Sequence, residues 1–465
     1  MQGEAHDIAQ SMPPAVERSG ALTLTRRFWA AGVVVLAVAG AVVAWSLAGG
    51  GADTASTPPP ASPNAPTSSA TSSPGTSPLS VYSPDIEVDG ARLVAANAWD
   101  SAGAGDPVAA GHLVDIRVPV VQDPATHVVA LTDDGGLVGV RSLVRGLDIS
   151  QVTVGILKSS GALSAFTSAT PQGVDPTVAR QSESFATGGS HVAWVETPST
   201  DLQFDNWSVF AADVNNGRTV ALGSSQDVLA GDLLPMIGPY VAVSVGTDRA
   251  YWGTPYPRGA LGADGHYADF GLKVLSRALD GSGELETVAD GAILPAADGD
   301  CVVFARVHGS DPAVLDGTFR IARVCSQQPE SVLATGFLGP HGKLRAVAAD
   351  HGVVAWSIAE SSASTLDRSD VVILDTRTHQ LAVVHLTPQK QGMLPESVAN
   401  LQIGDDLVQW TTDSTRALAD LRDGTIWSLP ASPGYYTLLQ AGDWLGWQSA
   451  NGANDVPTTV GRWSR

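Results

Sequence analysis

The sequence is poor in the residues on which many metal-binding and nucleic-acid-binding proteins depend. Among 465 residues it has only 2 Cys, 4 Met and 16% charged residues. Two cysteines exclude a disulfide-rich scaffold, a four-thiolate iron–sulfur cluster and a zinc finger. The 26 basic residues face 47 acidic ones, which gives a formal net charge of −21. Because phosphate binding needs a surface rich in Lys and Arg, this balance excludes nucleic acid as a partner.

Motifs that hold cofactors or activate nucleophiles are also missing. The chain has no Gly-x-Ser-x-Gly elbow, no Walker A loop, no dinucleotide-binding glycine pattern and no EF-hand loop. Its ten histidines are scattered, and no two form a His-x-His or His-x-x-x-His pair. We therefore expect no cofactor and no zinc site, and we assign no catalytic residue.

What is present begins with an apolar run near the N-terminus. Residues 28–48 carry no charge, Arg26 and Arg27 come directly before them, and the next basic residue is Arg92. As a helix, this run would span roughly 30 Å, the thickness of the hydrocarbon layer of a bilayer. The positive-inside rule then predicts a signal anchor with residues 1–27 in the cytoplasm and the remainder outside. A cleaved signal peptide is the alternative, for which the apolar run is unusually long.

The segment that follows the apolar run has a linker composition. Residues 49–80 consist mainly of Gly, Ser, Thr and Pro, and no large apolar residue appears before Leu79. Such a segment cannot bury enough surface to offset its ordering entropy. We predict a disordered tether that reaches up to ~90 Å in its extended form. Residues 81–465 then form the extracytoplasmic domain.

The body of the chain repeats one short strand pattern. Apolar runs such as His191-Val-Ala-Trp-Val and Val353-Val-Ala-Trp-Ser follow a turn and recur about every 51 residues. A repeat of 40–50 residues with four short strands is typical of a β-propeller, whereas a β-sandwich would not repeat one large residue at this interval. A weaker copy lies near Val140. The aligned large residues are Trp194, Val243, Phe304, Trp356, Trp410 and Trp447.

Counting these copies predicts an all-β fold with seven blades, and leaves six or eight open. The last blade begins near Tyr435 and has room for only three strands before the chain ends. Since a closed ring tolerates no free edge, the missing strand must come from the N-terminal side. Residues 113–121 are the best candidate.

Several of these strands resemble a known repeat. His351-Gly-Val-Val-Ala-Trp-Ser, the strands over 370–387 and those over 206–222 are similar to the TolB-type, WD40-like propeller repeats of bacterial envelope proteins. The usual Ser-Pro-Asp-Gly turn is reduced here to Ala-Asp-Gly at 297–299. The resemblance covers about residues 125–465, implies binding or scaffolding, and provides no catalytic residues to transfer.

The two cysteines lie in one predicted hairpin. If the strands that contain Cys301 and Cys325 pair about residue 313, the two residues are directly opposite. Opposed residues in an antiparallel pair come close enough for a disulfide, and an extracytoplasmic location permits oxidation. We predict a disulfide, with two buried thiols as the alternative.

One long insertion holds the candidate binding residues. Residues 246–270 separate two strands of the third repeat and are rich in aromatic side chains. Tyr, Trp and Arg are enriched at binding hot spots, and long loops often carry function. The alternative is an aromatic flap that covers its own blade. The candidate ligand- or partner-binding residues are Tyr251, Trp252, Tyr256, Arg258, His266 and Tyr267.

These observations predict a membrane-anchored binding or scaffold module. Its propeller would bind a protein, peptide or glycan of the cell envelope, and residues 28–48 would bind the lipid bilayer. The alternative is a propeller hydrolase or lyase, of the glycosidase or metal-dependent lactonase type, with carboxylates around the axial channel. Such an enzyme needs two carboxylates roughly 5–10 Å apart, or oxygen ligands around a metal ion.

Overall fold

The computed structural model describes most of the chain after residue 85. Residues 1–85, which include the predicted cytoplasmic tail, anchor and linker, lie outside the described residues. Within the described part, no helix is long and apolar enough to cross a membrane. The described residues are 86–88, 92–93, 107–108, 110–145, 148–167, 180–197, 207–228, 241–261, 267–307, 317–326, 328–338, 342–362, 365–386, 398, 400–412, 416–429, 439–448 and 458–464.

The fold is all-β and consists of seven sheets, as the repeat predicted. In chain order the strands are β1 (Ile86–Glu87), β2 (Arg92–Leu93), β3 (Leu113–Arg117), β4 (Thr126–Leu131), β5 (Leu137–Arg145), β6 (Asp148–Leu157), β7 (Leu163–Ala165), β8 (Gln181–Gly188), β9 (His191–Thr197), β10 (Ser208–Asp213), β11 (Thr219–Ser224), β12 (Val243–Val245), β13 (Arg249–Leu261), β14 (Tyr267–Ala278), β15 (Glu286–Asp290), β16 (Ala292–Asp298), β17 (Cys301–Val307), β18 (Gly317–Cys325), β19 (Ser331–Leu338), β20 (Gly342–Asp350), β21 (Val353–Ser362), β22 (Thr365–Asp375), β23 (Gln380–His385), β24 (Asn400–Gly404), β25 (Leu407–Thr411), β26 (Arg416–Asp420), β27 (Thr425–Ser428), β28 (Leu439–Ala441), β29 (Trp444–Gln448) and β30 (Thr458–Trp463). A 3-10 turn covers Ser225–Asp227.

Each sheet is one blade of a propeller. Blades 1 to 6 consist of β4–β7, β8–β11, β12–β15, β16–β19, β20–β23 and β24–β27, each in chain order. The first strands of neighbouring blades pack against one another around the whole ring, so that β4, β8, β12, β16, β20, β24 and β28 surround the axis. The first strands therefore form the wall of the central channel.

Blade 7 is closed by the predicted N-terminal strand. Its first three strands are β28, β29 and β30, and β3 forms the fourth by pairing antiparallel with β30. Leu113 lies opposite Trp463, and Val114 lies opposite Arg462. Because the two ends of the domain share one sheet, blade 7 lacks no strand and the ring is complete.

Two further N-terminal strands lie on the outside of the ring. β1 pairs antiparallel with β19 on the outer edge of blade 4, and β2 pairs in parallel with β23 on the outer edge of blade 5. Ile86 is buried in the apolar cluster between these two blades. The chain thus crosses blades 4 and 5 before it reaches blade 7.

The hydrophobic core is divided among the interfaces between blades. Each of seven apolar clusters joins two neighbouring blades, because both faces of an inner strand are covered. The fourth residue of each second strand packs against the preceding blade in blades 2 to 7. These residues are Trp194, Trp252, Phe304, Trp356, Trp410 and Trp447.

The alignment on Val243 in the third repeat is wrong. Val243 lies in β12, the first strand of its blade, and pairs with Trp252 in β13. Trp252 is completely buried between blades 2 and 3, where the repeat requires its large residue. The run around Val243 has the composition of a second strand, which explains why the sequence pattern selected it.

Blade 1 lacks the large residue that the second strands of the other blades pack against the preceding blade. Leu137 packs against blade 7, whereas Val138 and Val140 pack against blade 2, so that Gly139 takes the position of the large residue. A Cβ at Gly139 would lie 2.9 Å from Leu163 Cδ1. The first blade therefore has no indole or phenyl group at this position.

The predicted disulfide is present in blade 4. Cys301 and Cys325 are direct partners in the pairing of β17 with β18, and their sulfur atoms are bonded. The bond links the second and third strands at the end of their shared ladder.

Candidate functional site

The insertion of the third repeat is a long β-hairpin. β13 and β14 pair from Arg249 opposite Ala278 to Leu261 opposite Tyr267. The flanking strands β12 and β15 pair only with the base of this hairpin, at residues 250–252 of β13 and 273–276 of β14. The rest projects beyond the blade toward residues 262–266, which lie outside the described residues.

The hairpin separates the six candidate residues into different environments. Tyr251 is 6% exposed and Trp252 is 0% exposed, and each packs in a cluster between blades. Both therefore belong to the core. Tyr267 begins β14 at the projecting end, and His266 lies outside the described residues.

Tyr256 and Arg258 lie on the projecting part and form a cationic–aromatic cluster with Lys273. Lys273 Nζ is 3.9 Å from the centre of the Tyr256 ring, and the Arg258 guanidinium carbon is 5.7 Å from it. Tyr256 is opposite Gly271, where a Cβ would lie 2.5 Å from the tyrosine ring. Gly271 thus leaves the space in which the ring lies across the hairpin.

The base of the hairpin is held against blade 4. Gly291 N–H donates to the Leu272 carbonyl at 2.7 Å, and Leu272 and Thr254 are buried. A Cβ at Gly253 would lie 3.4 Å from Pro295 Cδ on the first strand of blade 4. These contacts hold the hairpin in a defined position, which a recognition surface requires.

A second polar region lies on the opposite side of the propeller. We call the face that carries the turns between the first and second strands of each blade the turn face. Three turn-face carboxylates accept a backbone N–H from the following blade at 2.9–3.0 Å: Asp133 from Gly189, Asp298 from Gly352 and Asp350 from Asp405. These bonds join neighbouring blades near the axis.

Two of these carboxylates have raised pKa values. Burial raises the pKa of Asp350, and it also raises that of Asp133, where the charges of Asp134 and Asp405 act in the same direction. Asp350 Oδ2 lies 2.9 Å from His351 Nδ1, and this contact raises the pKa of the exposed imidazole. His351 has a φ of 47°, in the left-handed region that non-glycine residues seldom occupy.

Asp406, on the same face, accepts hydrogen bonds from two arginine side chains rather than from the backbone of the following blade. Its two oxygens accept from Arg377 Nη2 at 2.7 Å and from Arg422 Nε at 2.6 Å. Although burial acts to raise the pKa of Asp406, these two arginines hold it below its usual value. The sequence pattern alone assigned no role to these acidic turns, because carboxylates at turns are most often solvated rather than ligands of calcium.

Two other polar features were not apparent in the sequence. His385 Nδ1 lies 2.8 Å from Asp370 Oδ1, across the outer strands of blade 5, and Asp370 is 1% exposed. Arg345 lies at an irregular position of β20, on the channel wall.

Within the described part of the chain, no three His, Cys, Asp or Glu side chains are arranged to hold a metal ion.

The comparisons with known proteins give structural similarity alone. No protein-family model matches the chain, and no curated protein matches it. Among solved structures, an acylaminoacyl peptidase of Pyrococcus horikoshii is similar at 12% identity and a TM-score of 0.44, over 73% of this chain and 52% of that one. The propeller domain of the Pyrococcus furiosus trilobed protease has 10% identity and a TM-score of 0.41, over 66% and 84%.

A third similar structure is an oligogalacturonate lyase in complex with manganese. It has 9% identity and a TM-score of 0.43, over 76% of this chain and 97% of that chain. The chain spans about half the length of the peptidase from Pyrococcus horikoshii and of a prolyl endopeptidase to which it is also similar. The seven-bladed fold itself rests on the sheet order and register given above.

Proposed function

We propose that this protein is a membrane-anchored binding module whose propeller recognises a protein, peptide or glycan of the cell envelope. The observation that carries the proposal is the projecting β13–β14 hairpin with Tyr256, Arg258 and Lys273 on one side. An aromatic ring flanked by two cations offers stacking, apolar contact and charged hydrogen bonds together.

The location of the module follows from the sequence. Residues 28–48 would anchor the chain in the bilayer, and residues 49–80 would hold the propeller away from the membrane. The disulfide between Cys301 and Cys325 supports an oxidising compartment. The similarity of the repeats to TolB-type propellers supports a role in the envelope.

A test of this proposal should change the hairpin without changing the blade. Deletion of residues 246–270 would remove the buried Trp252 and unfold blade 3, so point variants are preferable. Crosslinking and mass spectrometry on intact cells would compare the wild type with Tyr256→Ala/Arg258→Ala. We expect the main crosslinked partner or glycan to fall at least tenfold in abundance in this double variant.

The control replaces an exposed cation elsewhere on the domain. Arg320→Ala, on the third strand of blade 4, should leave the crosslinks unchanged. A double variant that folds normally and keeps every crosslink would contradict the assignment of the hairpin as the recognition surface.

An enzymatic function is the second candidate, and the turn-face carboxylates favour it. Asp133 and Asp350 have raised pKa values beside the exposed His351, and perturbed carboxylates are common in catalytic sites. However, both already accept an inter-blade N–H, which gives each of them a structural role. Turnover of envelope peptides or oligosaccharides by the wild type, lost in Asp350→Asn, would establish this function instead.

A further inference from the structure

The wall of the channel contains one residue outside the regular strand pattern. β20 pairs with β21 from Gly342 to Asp350, and the register shifts between Leu344 and Ala346. Arg345 is the extra residue at this β-bulge. Bulges re-aim a side chain and are frequent next to binding sites.

The neighbours of Arg345 show how the bulge interrupts the alternation of the strand. Leu344 and Val347 pack in the cluster between blades 4 and 5, whereas Ala346 and Ala348 pack in the cluster between blades 5 and 6. Arg345 is the extra residue between these two pairs. Since β20 is the innermost strand of its blade, this partly buried residue lies on the wall of the channel.

The first strands of three other blades also contain β-bulges, but the side chains at those bulges are apolar. The register shifts in β4, β8 and β16, and at each shift an apolar side chain packs between blades. These side chains are Val129, Phe185 and Leu294. Arg345 is therefore the one charged residue among the extra residues of these four bulges.

The guanidinium of Arg345 lacks a counter-charge in the described part of the chain. Its Nε is buried without a hydrogen-bond partner, and burial lowers the pKa of the side chain with no neighbouring charge acting on it. Six other arginines form close ion pairs with acids. These pairs are Arg180–Glu196, Arg249–Glu286, Arg306–Glu330, Arg377–Asp375, Arg422–Asp406 and Arg462–Asp443.

We propose that Arg345 binds the carboxylate of a ligand that enters the central channel. A partly buried cation without a partner is costly, and a ligand anion would supply the missing charge and acceptor. Arg presents a planar fork that matches a carboxylate in a bidentate arrangement. A free peptide C-terminus and a uronic acid both offer this group.

The same reasoning disfavours phosphate. A phosphate group carries up to two negative charges, and the acidic residues Asp133, Asp298 and Asp350 lie at the turn-face end of the same channel. One arginine balances a single carboxylate, whereas a phosphate would need further cations. This site is separate from the hairpin, so it does not depend on the proposed recognition surface.

Ligand-detected NMR on the purified full-length protein would test the site. The probes are acetyl-trialanine with a free carboxylate, the same peptide with an amidated C-terminus, glucuronate, glucose and inorganic phosphate. We expect at least one of the two carboxylate probes to bind the wild type. Arg345→Gln should weaken that binding at least tenfold, while the amide and glucose should show no binding.

Arg323→Gln is the matched control. Arg323 also has a buried Nε without a partner among the described residues, but it lies on β18, away from the channel wall. This variant should bind the probes like the wild type. Thermal unfolding provides a second readout, because loss of an uncompensated cation should leave the Tm of Arg345→Gln equal to or above the wild-type value.

Three results would overturn the proposal. The first is that no carboxylate probe binds the wild type, and the second is that Arg345→Gln binds them equally well. The third is that phosphate binds while both carboxylates do not. A Tm lowered in Arg345→Gln with unchanged probe binding would show a purely structural role.

Discussion

Two parts of the ring differ in the covalent and apolar contacts that stabilise them. Among the described residues, the strapped flank, formed by blades 4 and 5 with β1 and β2, has a disulfide and a fourteen-residue apolar cluster around Trp356. The closure, where blade 7 meets blade 1, has a cluster of seven described residues and Gly139 in place of a large residue. A ring of similar repeats can thus differ greatly in local stability from one interface to the next.

The closure compensates in part with other contacts. Trp444 of blade 7 packs against its cluster, and the Arg117 guanidinium carbon lies 5.1 Å from the centre of the Trp444 ring. Arg117 also donates to the Gly135 carbonyl of blade 1. On the outer side, Val114 and Ile116 of the closing strand are 39% and 43% exposed, so they contribute little burial. We therefore expect β3 to separate before the strands of the strapped flank.

The largest expected effect tests the core of the strapped flank. Trp356→Ala should lower the free energy of unfolding by about 3–5 kcal/mol, because it removes the largest buried side chain of that interface and leaves a cavity in its place. Chemical denaturation measures the loss. The same substitution at the partly buried Trp444, in the closure, should cost less, and an equal cost would remove the contrast between the two regions.

Loss of the disulfide should have the next largest effect. Cys301→Ser/Cys325→Ser should cost about 3 kcal/mol by the chain-entropy relation, since the bond closes a loop with a sequence separation of 24. Denaturation of the variant and of the reduced wild type should agree. Hydrogen exchange should then show faster opening in β17 and β18, and an unchanged exchange rate there would contradict the reinforcement of this flank.

A core substitution at the closure should cost less than the change at Trp356. Leu157→Ala should lower the free energy of unfolding by about 2–3 kcal/mol, because Leu157 is a buried member of the smaller apolar cluster at the closure and is a smaller side chain than Trp356. We expect hydrogen exchange in β3 and β30 to accelerate while β21 and β22 stay protected. Uniform acceleration around the ring would show that the blades open together.

The turn-face hydrogen bonds should contribute more modestly. Asp298→Ala removes the acceptor for the Gly352 N–H and should cost about 1–2 kcal/mol, measured by denaturation. Asp298→Asn keeps an acceptor oxygen and should cost less. If both variants lose the same stability, the negative charge of Asp298 matters more than its hydrogen bond.

The smallest effect concerns pH. The pKa of His351 is raised, chiefly by its hydrogen bond with Asp350, so the protonated imidazole favours the folded state. This stability is fully present below pH 6.5 and is lost as the pH rises through the raised pKa. The side chain is 73% exposed, which limits the effect to a few tenths of a kcal/mol at about the level of surface pairs.

His351→Asn should remove this part of the pH dependence while tolerating the left-handed backbone. Thermal unfolding of both proteins between pH 5.5 and 8.5 would show it as a smaller drop in Tm for the variant. A variant that keeps the full drop would contradict the assignment of this pH dependence to His351.

The propeller, its closing strand and its disulfide could be predicted because each leaves a pattern along the chain. In blades 2 to 7 a large aromatic residue of the second strand recurs at about the length of one blade, and paired strands place Cys301 opposite Cys325. The position of Trp252 could not be predicted, because an apolar first strand and an apolar second strand have the same composition. Only pairing between strands distinguishes them.

The candidate site was less predictable for a similar reason. Residues 246–270 have the composition of a loop, with five glycines and two prolines, yet their tyrosines and tryptophan extend two strands. Burial of Tyr251 and Trp252 depends on the neighbouring blades, which no local pattern reveals. The role of Arg345 depends on a one-residue bulge whose register exists only in the sheet.

The path of β1 and β2 has a mechanical consequence. If the chain before Ile86 were pulled, the load would reach blade 4 first, then blade 5, and the closing strand of blade 7 last. Each two-residue strand could detach and release slack before tension arrived at the seam of the ring. The two N-terminal strands would thus detach before the blades lose their own pairing. A pulling force between the N-terminal segment and a bound partner would then leave the propeller intact.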